Sequence, residues 1–189
     1  MSILIVFGST EGHTRHLSEF LADSLKEGGR AADVRDSASV AVDRLNPNDY
    51  DAVLVAASLH VGHYQAAVVE FVRRHHEALN DTPSAFISVS LSAAGVNPHD
   101  WEGLEQCVAR FLHETMWRPK AIHHTAGAIR YSQYDFFKRL AIKFIAGQRG
   151  QATVMSRDYD LTDYSALKTF VREFMADQVE KRKHWPAKQ

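Results

Sequence analysis

The chain has 189 residues, 45% hydrophobic and 24% charged, with a formal net charge of −1. That length carries one domain with a sizeable core and is short for two, and so balanced a charge gives no global reason to expect nucleic acid as a partner. Cys107 is the single cysteine, so neither an internal disulfide nor a CxxC redox pair can form, and a redox-active group must be borrowed.

Met1 to Phe7 lacks the positive n-region of a signal peptide, and no run approaches the roughly 20 apolar residues of a membrane span. The expected location is cytoplasmic, with a place on the inner surface of the cell membrane left open. Ile3-Leu4-Ile5-Val6-Phe7 is an apolar, β-branched run of the kind that forms a central parallel strand buried on both faces. After the polar loop Gly8 to His13, the helical spacing of Leu17, Phe20, Leu21 and Leu25 predicts a helix that Gly28-Gly29 stops. Ala31 to Arg35 reads as a short second strand and Asp51 to Ser58 as a third. A helix follows with Val68, Val69, Val72, His75 and Leu79 on one face, broken at Asn80-Asp81-Thr82-Pro83. Ser84 to Leu91 is the fourth strand. The next helix runs from near Pro98 to Trp117 and ends at Arg118-Pro119, after which Ala121 to Ile129 gives a fifth strand. The last helix starts from Thr162 as N-cap and carries Leu167, Phe170, Val171, Phe174 and Met175. Strands alternating with helices predict a doubly wound α/β sheet in one domain over 1–180, with a basic tail at 181–189.

About 30 residues separate the fifth strand from the last helix where a few would suffice, so an insertion is expected at about 130–160. Within it Phe137, Leu140, Ala141, Phe144 and Ile145 share one helical face, while Arg130, Lys138, Arg139, Lys143 and Arg149 supply positive charge. Such a segment docks on anionic lipid or ligand, or packs on its own domain with a solvated basic face.

The turn after the first strand, Gly8-Ser9-Thr10-Glu11-Gly12-His13-Thr14, leads directly into a helix. Backbone N–H groups and the positive end of the helix dipole then point at whatever sits above the sheet. Ser9, Thr10 and Thr14 add hydroxyls, and Gly12 lets the backbone bend around a bound group. This is a cradle for one phosphate, although an ordinary Ser/Thr-capped helix has the same composition. It fits neither GxGxxG nor GxxxxGK[ST], which argues against a dinucleotide or a nucleoside triphosphate. Two more loops fall at the carboxyl edge of the sheet, where doubly wound folds bind ligands. They are Ser58-Leu59-His60-Val61-Gly62-His63-Tyr64 and Ser90-Leu91-Ser92-Ala93-Ala94-Gly95-Val96-Asn97. Both offer flat apolar cover and backbone groups, the needs of an isoalloxazine ring. Tyr64 could instead be a helix-starting aromatic packed on the sheet. The HxxH spacing of His60 and His63 invites a metal, but no HExxH helix or cysteine supports one. His75-His76 and His123-His124 read as structural or surface residues, and Cys107 as a small core residue.

Gly8 to Thr14 resembles the phosphate loop of flavodoxins that bind flavin mononucleotide (FMN). Ala57 to Tyr64 resembles the matching loop of the menaquinone-dependent protoporphyrinogen IX dehydrogenase family. So do Leu79 to Val89, Trp117-Arg118-Pro119, Ala126 to Tyr131 and Tyr134 to Ile145, which together span nearly the whole chain. The resemblance implies a flavodoxin-like, doubly wound, five-stranded parallel sheet in the order 2-1-3-4-5, with an insertion after or within strand five. It also implies an FMN cofactor held by Ser9, Thr10, Glu11, Gly12, His13 and Thr14, by Ser58, Leu59, His60, Val61, Gly62 and Tyr64, and by Ser90, Leu91, Ser92, Ala93, Ala94 and Gly95. The implied reaction is oxidation of protoporphyrinogen IX in haem synthesis, with electrons passed to a quinone at the membrane. His63 is the candidate base expected near the ring, and Lys138, Arg139 and Lys143 are the candidate membrane contacts. A flavodoxin-type carrier or quinone reductase with another donor is the alternative, followed by an interaction module that has lost its flavin.

Overall fold

The computed structural model describes residues 1–95, 98–129 and 159–180. Five strands, β1 (Ser2–Gly8), β2 (Ala31–Asp36), β3 (Ala52–Ser58), β4 (Ser84–Ser90) and β5 (Ala121–Ala126), form a sheet in the order β2-β1-β3-β4-β5. Every pair is parallel, with Ile5 opposite Leu54, Leu54 opposite Ala85 and Ala85 opposite Ala121. Helices α1 (His13–Glu27), α2 (Ala66–Asp81), α3 (Pro98–Thr115) and α4 (Tyr164–Phe174) cover the two faces.

Because side chains alternate across a strand, the apolar run of β1 divides between two cores. Ile3, Ile5 and Phe7 join Leu17 and Leu21 of α1 and Leu167, Val171 and Phe174 of α4. Leu4 and Val6 join Val68, Phe71 and Val72 of α2 and Leu104, Val108 and Phe111 of α3. Each fully buried Leu, Ile or Phe stabilises the fold by about 1.5–3 kcal/mol, so the central strands are fixed from both sides.

The structure departs from the sequence-based boundaries at three places. The fifth strand does not run on to Ile129. β4 ends at Ser90, the partner of Ala126, so beyond that point the sheet offers nothing to pair with. The chain turns at Gly127, and β6 (Ala128–Ile129) pairs antiparallel with β7 (Tyr159–Asp160). Helix α3 stops at Thr115, where Met116 takes a positive φ of 57°, and Trp117 swings into the core, its Nε1 donating to Ser84 Oγ at 3.0 Å. The N-cap of α4 is Asp163, whose carboxylate accepts from the Ala166 amide at 2.9 Å; the Thr162 hydroxyl instead donates to the Ala126 carbonyl at 2.8 Å.

Lys138, Arg139, Lys143 and the rest of the expected basic insertion lie outside the described residues, as does the tail 181–189. Among the described residues no helix is long and apolar enough to cross a membrane.

Candidate functional site

The loops leaving β1, β3 and β4 surround a cavity of about 590 Å³ at the carboxyl edge of the sheet. Ser9, Thr10, Glu11, His13 and Thr14 line it from the first loop, and Ser58, Leu59, His60, Val61 and Gly62 from the second. Ser90, Leu91 and Ser92 come from the third, with Val89, Gly127 and Ala128 completing the wall.

Gly12 is the N-cap of α1 in the left-handed region, φ 83°, and no side chain caps the helix. A glycine is needed for that turn, and it leaves the first-turn N–H groups to be met from the cavity side. Thr14, 1% exposed, and Ser9, half-buried, stand beside them.

The second loop is a tight hairpin. His60 and His63 exchange two backbone hydrogen bonds of 2.9 Å, with Val61 at φ 48° and Gly62 at φ 79° between them. These angles are those of a type I′ turn, in which Gly62 is at ease and the β-branched Val61 is strained. Val61 is nonetheless 89% exposed at the cavity mouth. Arg110 of α3 donates to the Gly62 carbonyl and holds the hairpin tip. At the hairpin base, Gln65 Nε2 donates to Ser58 Oγ and, at 3.2 Å, to Thr10 Oγ1, tying the second loop to the first. Ser58 Oγ also meets His60 Nε2 at 3.2 Å. In the third loop, Ser90 Oγ accepts from the Ala93 amide at 3.2 Å, and Trp101 Nε1 donates to the Gly95 carbonyl at 2.9 Å.

Not every residue expected at the site reaches the wall. Gly12, Ala93, Ala94 and Gly95 shape their turns from behind it, and His63 is exposed outside it. Tyr64 is 7% exposed and packs between Phe86 and Phe111, ring centroids 5.2 and 5.0 Å away. Its hydroxyl meets that of Ser88 at 2.7 Å, and burial pushes its pKa up. The side chain therefore belongs to the core beneath the cavity.

A cluster beside the first loop was not visible in the sequence. His13 Nε2 lies 2.8 Å from Thr162 Oγ1 and 3.8 Å from Asp160 Oδ1. Asp160 also accepts from the Thr162 amide at 3.0 Å and the Tyr164 hydroxyl at 2.6 Å. Partial burial works against this carboxylate, yet those hydrogen bonds and His13 hold its pKa below the usual range. Tyr164 moves the other way, raised by burial and by its bond to Asp160. The chain brings His13 and Thr162 together across 149 positions of sequence, a separation over which no local pattern operates.

A family model described as a flavodoxin domain matches residues 4–156. Protoporphyrinogen IX dehydrogenase (quinone) of Escherichia coli strain K12 is 37% identical over 177 residues, 92% of this chain and 94% of that protein. The protein of the same name from Leishmania major is 32% identical over 92% of this chain and 74% of its own length. In fold the chain is similar to a cysteine-to-serine variant of flavodoxin from Pseudomonas aeruginosa, with a TM-score of 0.50 and 20% identity over 78% of this chain and 95% of that one. A flavodoxin domain implies a flavin, and the donor set suits one: hydroxyls and uncapped N–H groups at one end of the cavity, and Leu59, Val61 and Leu91 along its wall. The sheet order, the domain match and the two relatives together make this chain a flavodoxin-fold member of the protoporphyrinogen IX dehydrogenase (quinone) family.

Proposed function

We propose that the protein is an FMN-dependent dehydrogenase that oxidises protoporphyrinogen IX to protoporphyrin IX and delivers the electrons to a quinone, in haem biosynthesis. The observation that carries this is a phosphate-type cradle opening into an apolar-walled cavity, in a chain that matches its Escherichia coli relative almost end to end. Ser9, Thr10, Thr14 and the first-turn N–H groups of α1 would hold the phosphate, and Leu59, Val61 and Leu91 would cover the ring. Bound FMN supplies the capacity to take two electrons from one molecule and give them to another.

The chain's own part is placement and exclusion of water. The hairpin 60–63, clamped by Arg110, closes one side of the cavity. His60, on the wall and bonded to Ser58, is the imidazole that would take a proton from a bound ligand; His63 lies outside that wall. Six hydrogens leave the macrocycle in three two-electron steps, so three quinones depart as quinols. Lys138, Arg139 and Lys143 would bring the protein to an anionic membrane at its cytoplasmic face, each contributing about 1 kcal/mol near the surface.

Anaerobic turnover of protoporphyrinogen IX with menaquinone tests the proposal. Porphyrin fluorescence should rise with one protoporphyrin formed per three quinones reduced. Reduction of the flavin by other donors, with no porphyrin formed, would favour a flavodoxin-type carrier.

A further inference from the structure

We propose that His13 is the cationic member of the phosphate cradle, its imidazolium held beside the FMN phosphate by Thr162 and Asp160, an inference that rests on the FMN assignment above. The described cavity wall contains no lysine or arginine, and it includes Glu11. A phosphate monoester carries about −1.5 to −2 near neutral pH. Hydroxyls and amides solvate that charge without cancelling it, and a helix N-terminus offers only about half a positive charge. His13 and His60 are the wall residues able to become cationic, and only His13 belongs to the phosphate loop.

The hydrogen-bond pattern fixes how the imidazole is presented. A threonine hydroxyl has one hydrogen, and that of Thr162 goes to the Ala126 carbonyl at 2.8 Å. Thr162 Oγ1 therefore accepts from His13 Nε2, so Nε2 carries a proton in either charge state. The ring gains or loses its charge at Nδ1. Asp160, pinned by the Thr162 amide and the Tyr164 hydroxyl, holds its carboxylate 3.8 Å from Nε2, and the His13 side chain is only 13% exposed. With phosphate bound, the imidazolium would have an anion on either side: its own burial limits screening on the cavity side, while the Asp160 side chain, 42% exposed, is partly screened by solvent.

Among the described residues, Asp160 faces His13 from β7, Tyr164 of α4 stands behind as the partner of Asp160, and Glu11 shares the loop. On α1, Arg15 is drawn away to Asp36 at 3.1 Å, and His16 stands edge-on to Tyr164 with ring centroids 6.3 Å apart. Among the described residues, Asp160 is the anion held beside the ring and Glu11 a second on the same loop, and the phosphate would add its own charge in favour of the imidazolium.

Binding of FMN and of riboflavin to the full-length apoprotein, followed by quenching of flavin fluorescence between pH 6.5 and 9, tests this. Wild-type affinity for FMN should fall as pH rises and His13 loses its proton, while affinity for riboflavin, which has no phosphate, stays level. His13→Gln keeps a donor for Thr162 and should weaken FMN about tenfold at pH 6.5, as loss of a charge-assisted contact does, with little change at pH 9 or toward riboflavin. Asp160→Asn keeps one of the two acceptor oxygens, the one that meets the Thr162 amide, and removes the charge, and should move the FMN profile to lower pH. Equal FMN constants for wild type and His13→Gln at every pH, or equal losses for both flavins, would overturn the role of His13. Riboflavin binding as tightly as FMN to the wild type overturns the phosphate cradle itself, and binding of neither flavin overturns the FMN assignment and this inference with it.

Discussion

Val61 combines a left-handed backbone, a branched side chain and near-complete exposure, so burial gives nothing back for the strain. A non-glycine residue in this region costs roughly 1–2 kcal/mol. Val61→Gly should therefore raise the unfolding free energy of the apoprotein by about 1 kcal/mol in urea titrations, while weakening FMN binding by removing apolar cover. A variant that is both less stable and unchanged in affinity would contradict this account. Tyr64 gives the complementary case. Tyr64→Phe leaves the fully buried Ser88 hydroxyl without its partner, which should cost about 1–2 kcal/mol of stability. FMN affinity should not change, because the side chain lies in the core. From sequence, Tyr64 could be either a ring-covering or a sheet-packing aromatic; only the three-dimensional course of the hairpin separates the two.

At the scale of elements, the central strands were legible because a strand buried on both faces must be a nearly continuous apolar run, as 3–7 and 52–57 are throughout and 85–89 is but for Ser88. The loops at their carboxyl ends were legible for the same reason, since parallel topology brings them to one edge. Local chemistry failed where apolar sequence continued past the sheet, as in Ala126-Gly127-Ala128-Ile129. It failed again where two adjacent residues could each cap a helix, Thr162 and Asp163. The network joining His13, Asp160 and Tyr164 left no trace, because long-range side-chain contacts have no period. Strand β5 also carries a pH-dependent term. Burial, with the neighbouring His124 charge, depresses the pKa of His123, and burial depresses that of His124; His123 stacks on Phe170 and His124 meets Trp101 edge-on. At acid pH the unfolded chain binds protons that the folded one resists, so stability rises with pH. It should be complete above the unfolded value of about 6.5 and be lost as pH falls toward the depressed folded values. Chemical denaturation at pH 7.5 and 5.5 should show that decline, and replacing both histidines by glutamine should reduce it.

Across the whole molecule, flavin binding and stability are linked, since a ligand that binds only the folded state adds about 2.7 kcal/mol at a hundred times its dissociation constant. The ribbon of β6 and β7 carries a separate consequence. Ile129 and Tyr159 stand opposite each other in an antiparallel pair, where Cα atoms are only about 4.5–5.5 Å apart. The chain therefore exits and re-enters the flavin-binding scaffold through a doorway one residue pair wide, which predicts that whatever lies between can be exchanged without moving the frame. Replacing residues 130–158 by Asn-Gly, which suits a two-residue hairpin, should leave a folded protein. It should still take up FMN, as judged by fluorescence quenching, and should no longer turn over protoporphyrinogen with quinone. Grafting that stretch between the same two positions should restore turnover, so this scaffold would serve as a socket into which other segments could be fitted.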